Sequence, residues 1–215
     1  MNNYNRNMAL IIDSHRLFTD SFSLLLERYT RFVHCHAFNE GRAAIDFLLK
    51  TDIKDIKDIY VFLEYYQEQS NGLALANEIW RISRRLKIIF TTDSKSKEVI
   101  KTIKHHQPNA IMSKRSGLDI LLECIRTLQE GKVYYCPIIR HILDEEDQYE
   151  TQVFTARELE ILEYFSNGYT IDQTAEAMFL SRHTVVAHRR NMMKKAHCSS
   201  MAQLINLAKN TGLLH

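Results

Sequence analysis

The chain lacks long apolar runs and targeting segments. No apolar stretch approaches the ~20 residues that a helix needs to cross a bilayer. The first residues, MNNYNRNMALIID, also lack the longer apolar stretch and small-residue cleavage site of a signal peptide. The expected location is therefore the cytoplasm, with no membrane partner.

The chain also has few cysteines and a small net charge. Four scattered cysteines form no C-x-x-C pair, which predicts free and mostly buried thiols: Cys35, Cys124, Cys136 and Cys198. The formal net charge is only +2, so total charge says little about partners. Its distribution is more informative, because Pro137–Val153 holds one arginine and five acidic residues between two mildly basic parts.

Length and charge pattern together predict two domains. A chain of 215 residues that is 45% hydrophobic and 25% charged has an ordinary globular composition. We place the predicted boundaries at 1–136 for a first domain, 137–153 for a linker with a short helix, and 154–215 for a second domain.

The first 136 residues alternate between strand-like and helix-like segments. Five short segments predict strands, and the central ones are apolar throughout: MALII, FVHCHAF, IYVFL, KIIF and AIM. Each is followed by a helical pattern, as where apolar residues recur at Leu17, Phe18, Phe22, Leu24 and Leu25. Strands that are apolar throughout indicate a sheet buried on both faces. The expected fold is an α/β doubly wound, five-stranded parallel sheet.

Polar side chains follow these strands. In a parallel α/β sheet, functional groups collect at the carboxyl ends of the strands. The groups expected there are a carboxylate and a hydroxyl after the first strand, a second carboxylate, further hydroxyls and a lysine: Asp13, Ser14, Glu64, Thr91, Thr92 and Lys114.

This part resembles the receiver domain of bacterial response regulators, through LIIDSHRLF, VFLE with the later NG, IIFTT and IMSK. The resemblance covers about three-fifths of the chain and implies a CheY-like fold. It also implies an aspartate after the third strand that accepts a phosphoryl group, two acids that hold Mg²⁺, and a Thr or Ser and a Lys that read the phosphate. Thr91 and Lys114 match the last two.

The acidic positions depart from that pattern. Glu64 stands at the acceptor position, and Asp13–Ser14 replaces the acidic pair. Mg²⁺ is normally held through carboxylates, and the extra methylene of Glu64 displaces its carboxylate by about 1.5 Å. We therefore expect no phosphorylation of Glu64 and no cofactor. A Glu64–Lys114 pair would then hold one switch conformation, or would only support the fold.

Other candidate sites are weaker. His34 and His36 share one face of a predicted strand with Cys35 opposite, and His105–His106 end a helix. Neither cluster has further ligands at metal-binding spacing. No nucleophile motif is present, so the sequence predicts no enzyme.

From Phe154 onward only helical periods occur. Four short helices are predicted, and the first opens with the T-x-x-E capping box of Thr155 and Glu158. This part resembles the DNA-binding domain of LuxR/NarL-type regulators through FTARELEIL, NGYTIDQTAEAMFLSRHTVVAHRRNMMKKA and SMAQLINLAKNTGLL. The resemblance implies that the third helix, about 182–196, enters the DNA major groove.

Helical spacing divides that third helix into two faces. Val185 and Met192 are expected to face the core, with His188 near them. The expected DNA-contacting residues are Arg182, Thr184, Val186, Ala187, Arg189, Arg190 and Lys194. Arg190 is expected to contact a guanine edge or a phosphate, and Lys194 a phosphate. Val186 and Ala187 are expected to contact thymine methyl groups. The family often has lysine at position 186, so the target sequence is left open.

The fourth helix carries an apolar stripe at Met201, Leu204, Ile205 and Ala208. Part of it packs inward, and in the relatives this helix also pairs two DNA-binding domains. We therefore expect a homodimeric, phosphorylation-independent, sequence-specific transcription regulator. Two alternatives remain open: an adaptor that heterodimerises with another regulator, and a conventional phosphorelay response regulator.

Overall fold

The structure, a computed structural model, describes residues 7–30, 32–53, 56–66, 71–144 and 154–214. The chain divides into two compact units. The first comprises Met1–Asp93 with His106–His141, and the second Ser94–His105 with Ile142–His215. The domain boundaries inferred from the sequence stay a prediction.

The first unit is built on a parallel sheet. Its strand order is β2-β1-β3-β4-β5-β6. The strands are β1 (Asn7–Ile12), β2 (Phe32–Phe38), β3 (Asp58–Glu64), β4 (Lys87–Thr92), β5 (Ala110–Ser113) and β6 (Tyr134–Tyr135). Every residue of β1 is buried, as expected for a central strand that is covered on both faces. The α/β parallel-sheet fold is confirmed.

Helices alternate with the first five strands along the chain. They are α1 (Arg16–Tyr29), α2 (Gly41–Lys50), α3 (Gly72–Ile82), α4 (Lys97–His105) and α5 (Leu118–Gln129). The last of these ends before Gly131, whose φ of 75° is the left-handed conformation that glycine adopts most readily. The predicted alternation is thus confirmed.

The predicted number of strands is wrong, because the sheet has a sixth strand. Tyr134 and Tyr135 pair with Ala110 and Ile111 of β5. Two residues are too few to produce a recognisable strand period. The buried side chain of Tyr134 also donates from its hydroxyl to Glu123, at 3.1 Å.

The apolar pattern of α1 does not match its buried face. Thr19 and Leu26, seven residues apart, face inward. Leu17 and Leu24, also seven apart, are 83% and 67% exposed. The predicted helix is confirmed, but these two leucines lie on its outward side rather than in the core.

The C-terminal part is helical. Its helices are α6 (Pro137–Asp144), α7 (Ala156–Ser166), α8 (Ile171–Ala177), α9 (Arg182–Lys195) and α10 (Met201–Asn210). The Thr155–Glu158 capping box is present, and Thr170 forms another with Gln173. Ser181 and Ser200 cap the two following helices. Side-chain oxygens thus satisfy amide groups at the start of each helix from α7 onward.

The short helix predicted after Pro137 is confirmed as α6, with Ile139 and Ile142 buried. The acidic remainder of the predicted linker, 145–153, lies outside the described residues. Within the described ranges, no helix is long and apolar enough to cross a membrane.

Candidate functional site

Three charged side chains meet at the carboxyl edge of the sheet. Asp13 follows β1, Glu64 ends β3 and Lys114 follows β5. The Nζ atom of Lys114 lies 2.6 Å from Oδ2 of Asp13 and also contacts Oε2 of Glu64. Both carboxylates are almost fully buried. The expected Glu64–Lys114 contact is thus present, with Asp13 added to it.

The remaining carboxylate oxygens are held by nearby groups. Oε1 of Glu64 accepts the backbone N–H of Tyr65 at 2.7 Å and that of Tyr66 at 3.3 Å. Oδ1 of Asp13 accepts the backbone N–H of His15 and lies 2.9 Å from its Nδ1. Glu64 is therefore folded back on its own loop rather than directed toward solvent.

His15 and Phe18 belong to this cluster, although neither is among the site residues predicted from the sequence. Nζ of Lys114 lies 4.9 Å from the centre of the Phe18 ring, which favours a cation at that point. His15 follows Asp13 by two residues, the spacing at which an aspartate side chain accepts a backbone N–H. That spacing is visible in the sequence, whereas the position of Phe18 requires the packing of α1.

Burial and charge act against each other in this cluster. Burial raises the pKa of Glu64 above 4.5; Lys114 offsets only part of this rise, and Asp13 adds to it. Burial lowers the pKa of Lys114, but Glu64 and Asp13 outweigh that effect and leave it above 10.5. The ammonium therefore stays charged and neutralises one of two closely placed carboxylates.

The arrangement does not suit Mg²⁺. Ser14, which is half-buried, supplies a hydroxyl where a second acid would carry charge. The ammonium group of Lys114 already contacts both carboxylates that remain. Thr91 pairs in register with Glu64 and is buried. Among the described residues, no group of three or more His, Cys, Asp or Glu side chains is arranged to hold a metal ion.

Gly72 packs closely against the backbone at the end of β3, the strand that carries Glu64. Its backbone N–H donates to the Tyr65 carbonyl at 2.8 Å. A Cβ atom there would press on the Glu64 carbonyl oxygen and lie 2.8 Å from that of Tyr65. Both obstacles are backbone atoms, which cannot turn away. We expect Gly72→Ala to lower the free energy of unfolding by at least about 2 kcal/mol.

Chemical denaturation would measure this loss. Gly117→Ala is the matched control, because its Cβ would meet only the flexible end of the Asp119 side chain, at 2.6 Å. Equal stability losses for the two variants would contradict the assigned role of Gly72.

The histidine clusters are placed as expected. The rings of His34 and His36 lie 6.2 Å apart on one face of β2, and His36 packs 4.5 Å from Phe47. Burial lowers the pKa of His36, and neighbouring His34 lowers it further. His105 lies in the last turn of α4.

A second candidate surface is the outward face of α9. Val185 and Met192 are buried, as predicted, and His188 is half-buried. The exposed members of the predicted DNA-contacting set are Arg182, Ala187, Arg190 and Lys194; Thr184, Val186 and Arg189 are half-buried.

Several polar groups of α9 have partners within the domain. Arg182 pairs with Asp172 at 2.9 Å, with both side chains exposed. The hydroxyls of Thr184 and Ser181 share a hydrogen bond of 2.8 Å. Lys195 instead contacts the buried capping residue Glu158 at 2.7 Å, which ties α9 to the start of α7. Arg190 and Lys194 thus lie on the outward face, whereas Lys195 serves the fold.

The apolar stripe of α10 is partly internal. Leu204 and Ala208 are buried, whereas Met201, Ile205 and Leu207 are only half-buried. The prediction that part of the stripe packs inward is confirmed, and the half-buried members keep some apolar surface accessible to solvent.

The turn before α9 contains a strained aromatic residue. Phe179 follows α8 with φ of 53° and is 96% exposed. Helices that end in this left-handed conformation favour Gly or Asn there. We expect Phe179→Asn to raise the free energy of unfolding by about 0.5–1 kcal/mol, because it relieves strain and removes little packing.

Phe179→Ala is the control, since it removes the ring but keeps an ordinary side chain at this backbone angle. Thermal unfolding should show a gain in stability for Asn that Ala does not share. Equal gains for both variants would show that the ring, rather than the backbone, is the source of the strain.

Known proteins match both the C-terminal part of the chain and nearly its whole length. Residues 152–208 match the family described as "Bacterial regulatory proteins, luxR family". The chain is 23% identical over 210 residues to Fimbriae Z protein of Salmonella typhimurium, covering 96% of this chain and 98% of that protein. It is 26% identical over 197 residues to the nitrate/nitrite response regulator NarP of Escherichia coli, covering 89% of each.

Solved structures show the same fold. The RcsB response regulator of Salmonella enterica serovar Typhimurium, bound to promoter rprA with a phosphomimetic, has a TM-score of 0.65 at 20% identity, covering 93% of this chain and 96% of that one. A structure of an RcsB–DNA complex has a TM-score of 0.58 at 21% identity, and the match covers 94% of this chain and 96% of that one. Residues 152–208 thus match the luxR family of bacterial regulatory proteins, and most of the chain is similar to response regulators such as NarP.

Proposed function

We propose that this protein is a sequence-specific, DNA-binding transcription regulator that works as a homodimer without phosphoryl transfer. The observation that carries the last point is the contact of Lys114 with both Asp13 and Glu64. Phosphoryl transfer needs an accessible nucleophile, an in-line approach and metal-assisted charge neutralisation. The carboxylate of Glu64 is buried and accepts a hydrogen bond from a backbone amide, and Ser14 offers only a hydroxyl. Together they provide none of these three requirements.

The contacts of Lys114 also give a reason why the receiver-like unit would stay in one conformation. In the receiver family that this unit resembles, the matching lysine reads the phosphoryl group. Here Lys114 is held by two built-in carboxylates, so its side chain is fixed without a modification. We propose that this pairing keeps the receiver-like unit in one switch state. The pair would be a permanent substitute for the phosphorylated state rather than an inert remnant.

DNA recognition is assigned to α9. Exposed Arg190 and Lys194 supply charge for guanine edges and phosphates, and exposed Ala187 supplies an apolar contact for a thymine methyl. The N-terminal part of such a helix meets base edges in the major groove. Solved structures of RcsB, which has the same fold, include a DNA complex and dimers bound to DNA, and this supports both parts of the proposal.

Selection from a random-sequence DNA pool tests this function. The untreated full chain is titrated with the pool, and the retained DNA is sequenced. We expect an inverted repeat whose half-sites lie one helical turn, or a multiple of it, apart. Retention without any sequence enrichment would overturn the proposal and favour an adaptor that requires another regulator.

A further inference from the structure

The turn before α9 carries a bulky apolar side chain in a backbone conformation that suits glycine. Phe179 has a φ of 53° and is 96% exposed. Its backbone N–H donates to the Glu176 carbonyl, and that of Leu180 donates to the Ala175 carbonyl, the two bonds that define a Schellman motif. Phe179 takes the left-handed position of this motif, where glycine avoids the clash that a Cβ atom causes.

Glycine takes this left-handed conformation at three other helix ends: Gly131, Gly168 and Gly212. Among the described residues, the other non-glycine positions with a positive φ are Gln107 and His197, and both are polar. Phe179 thus combines a strained backbone with an exposed aromatic ring, and neither feature stabilises the fold. Backbone strain of this kind is concentrated at functional sites, so the turn is a candidate for a binding role.

This turn adjoins the exposed face of α9. Four exposed residues lie at intervals of four, three and four along one side of that helix: His183, Ala187, Arg190 and Lys194. Phe179 stands four residues before His183, just beyond the N-terminal end of the stripe. The N-terminal part of a recognition helix is the part that meets base edges, so this turn would lie beside bound DNA.

The turn is anchored to the rest of the helical domain. One terminal nitrogen of the Arg157 guanidinium donates to the carbonyl oxygen of Met178 at 2.9 Å. The other terminal nitrogen contacts Glu160 at 2.7 Å, and the side chain of Met178 is buried. The peptide that precedes Phe179 is therefore tied to α7, and a ring that is held in place loses little freedom when it binds.

We propose that Phe179 is a DNA-contacting residue that makes an apolar contact beside the major-groove contacts of α9. The apolar groups that DNA offers there are thymine methyl groups and the carbons of deoxyribose. The exposed cations nearby, Arg190 and Lys194 among them, favour DNA over a protein partner because they attract phosphates. The inference rests on the proposed function and adds to it a residue that lies outside α9.

Fluorescence anisotropy of the full chain on its selected DNA site tests the contact. We expect Phe179→Ala to weaken binding at least about fivefold, because it removes the apolar surface of the ring, and Phe179→Leu to retain part of the affinity. Phe179→Asn should weaken binding while it raises the thermal unfolding temperature, which separates the loss from a folding defect. Leu49→Ala is the matched control, since Leu49 is 64% exposed on α2 and should leave the affinity unchanged.

Deoxyuridine substitution in the DNA distinguishes the two sources of the contact. Replacing one thymine at a time removes only its methyl group, which contributes about fourfold to affinity when it is fully buried. Contact with a methyl group predicts that one substitution per half-site weakens the wild type but not Phe179→Ala. Contact with deoxyribose predicts that Phe179→Ala loses the same affinity on every substituted site. Wild-type affinity in both Phe179→Ala and Phe179→Asn would overturn the inference.

The DNA selection keeps this inference distinct from the proposed function. An enriched inverted repeat that Phe179→Ala binds as tightly as the wild type would overturn the Phe179 contact alone. If no sequence is enriched, the proposed function fails, and the variants are compared on a random-sequence duplex. Weaker binding by Phe179→Ala there would still support a deoxyribose contact, whereas equal affinities would overturn the contact as well.

Discussion

Replacing Lys114 with methionine should destabilise the chain by about 3–5 kcal/mol near neutral pH, the usual cost of leaving buried charges without their partner. The methionine fills a similar volume but leaves Asp13 and Glu64 facing each other without a cation. Lys114 contacts both in the wild type, and both are almost fully buried. Urea denaturation of the purified full chain would measure the loss.

The loss should depend on pH in a defined direction. Burial already raises the pKa of Glu64, and Lys114 opposes that rise. Without Lys114, the two carboxylates of Asp13 and Glu64 would keep a shared proton in the folded chain at a higher pH than in the unfolded chain. The folded variant then binds more protons, so its deficit relative to wild type should shrink as the pH falls from neutrality to about 5.

Two further variants make this prediction specific. Adding Glu64→Gln to Lys114→Met should restore part of the stability, because one buried charge is removed. Lys87→Met is the matched control, since Lys87 is also mostly buried but pairs with a single carboxylate, Asp58, at 3.0 Å. Equal losses for the two lysine variants, or no recovery with Glu64→Gln, would refute the assigned role of Lys114.

Replacing Arg190 with alanine should weaken binding to the selected DNA site by about 1–3 kcal/mol, which is roughly 5- to 150-fold. Arg190 is exposed on α9, on the face away from buried Val185 and Met192. A guanidinium that contacts a guanine edge carries sequence information as well as charge. The variant should therefore also relax the preference at one base position of each half-site. Fluorescence anisotropy on the selected site and on its single-base variants would measure both effects.

The control must remove the same charge from elsewhere in the domain. Lys209 is exposed on α10, so Lys209→Ala should change affinity little and preserve the base preference. Lys195→Ala is unsuitable, because Lys195 contacts buried Glu158 and its loss would disturb the domain. Unchanged affinity and base preference in Arg190→Ala would remove α9 from the proposed recognition mechanism.

The sequence predicted the larger features because each depends on a repeated pattern. The continuous apolar runs of β1, β3 and β4 predicted a buried parallel sheet. Capping residues such as Thr155 and Glu158 predicted where helices begin, since their side chains bond to the backbone only a few residues away. The convergence of Asp13, Glu64 and Lys114 followed from the rule that parallel strands present their carboxyl ends at one edge.

What the sequence did not predict depends on packing between distant segments. The strand β6 has only two residues, and it is defined by its pairing with β5. Leu17 and Leu24 follow a helical period, but only the packed structure shows that this side of α1 faces outward. The contact of Phe18 with Lys114 joins α1 to the end of β5, across almost a hundred residues of chain.

The central claim is that the Asp13–Lys114–Glu64 contact replaces phosphorylation. Its most direct test is the affinity of the full chain for its selected DNA site before and after incubation with acetyl phosphate and Mg²⁺, with intact mass measured on the same samples. The account predicts unchanged affinity and no added phosphoryl group. A phosphoryl group that is lost in Glu64→Gln and that tightens DNA binding in the wild type would contradict it.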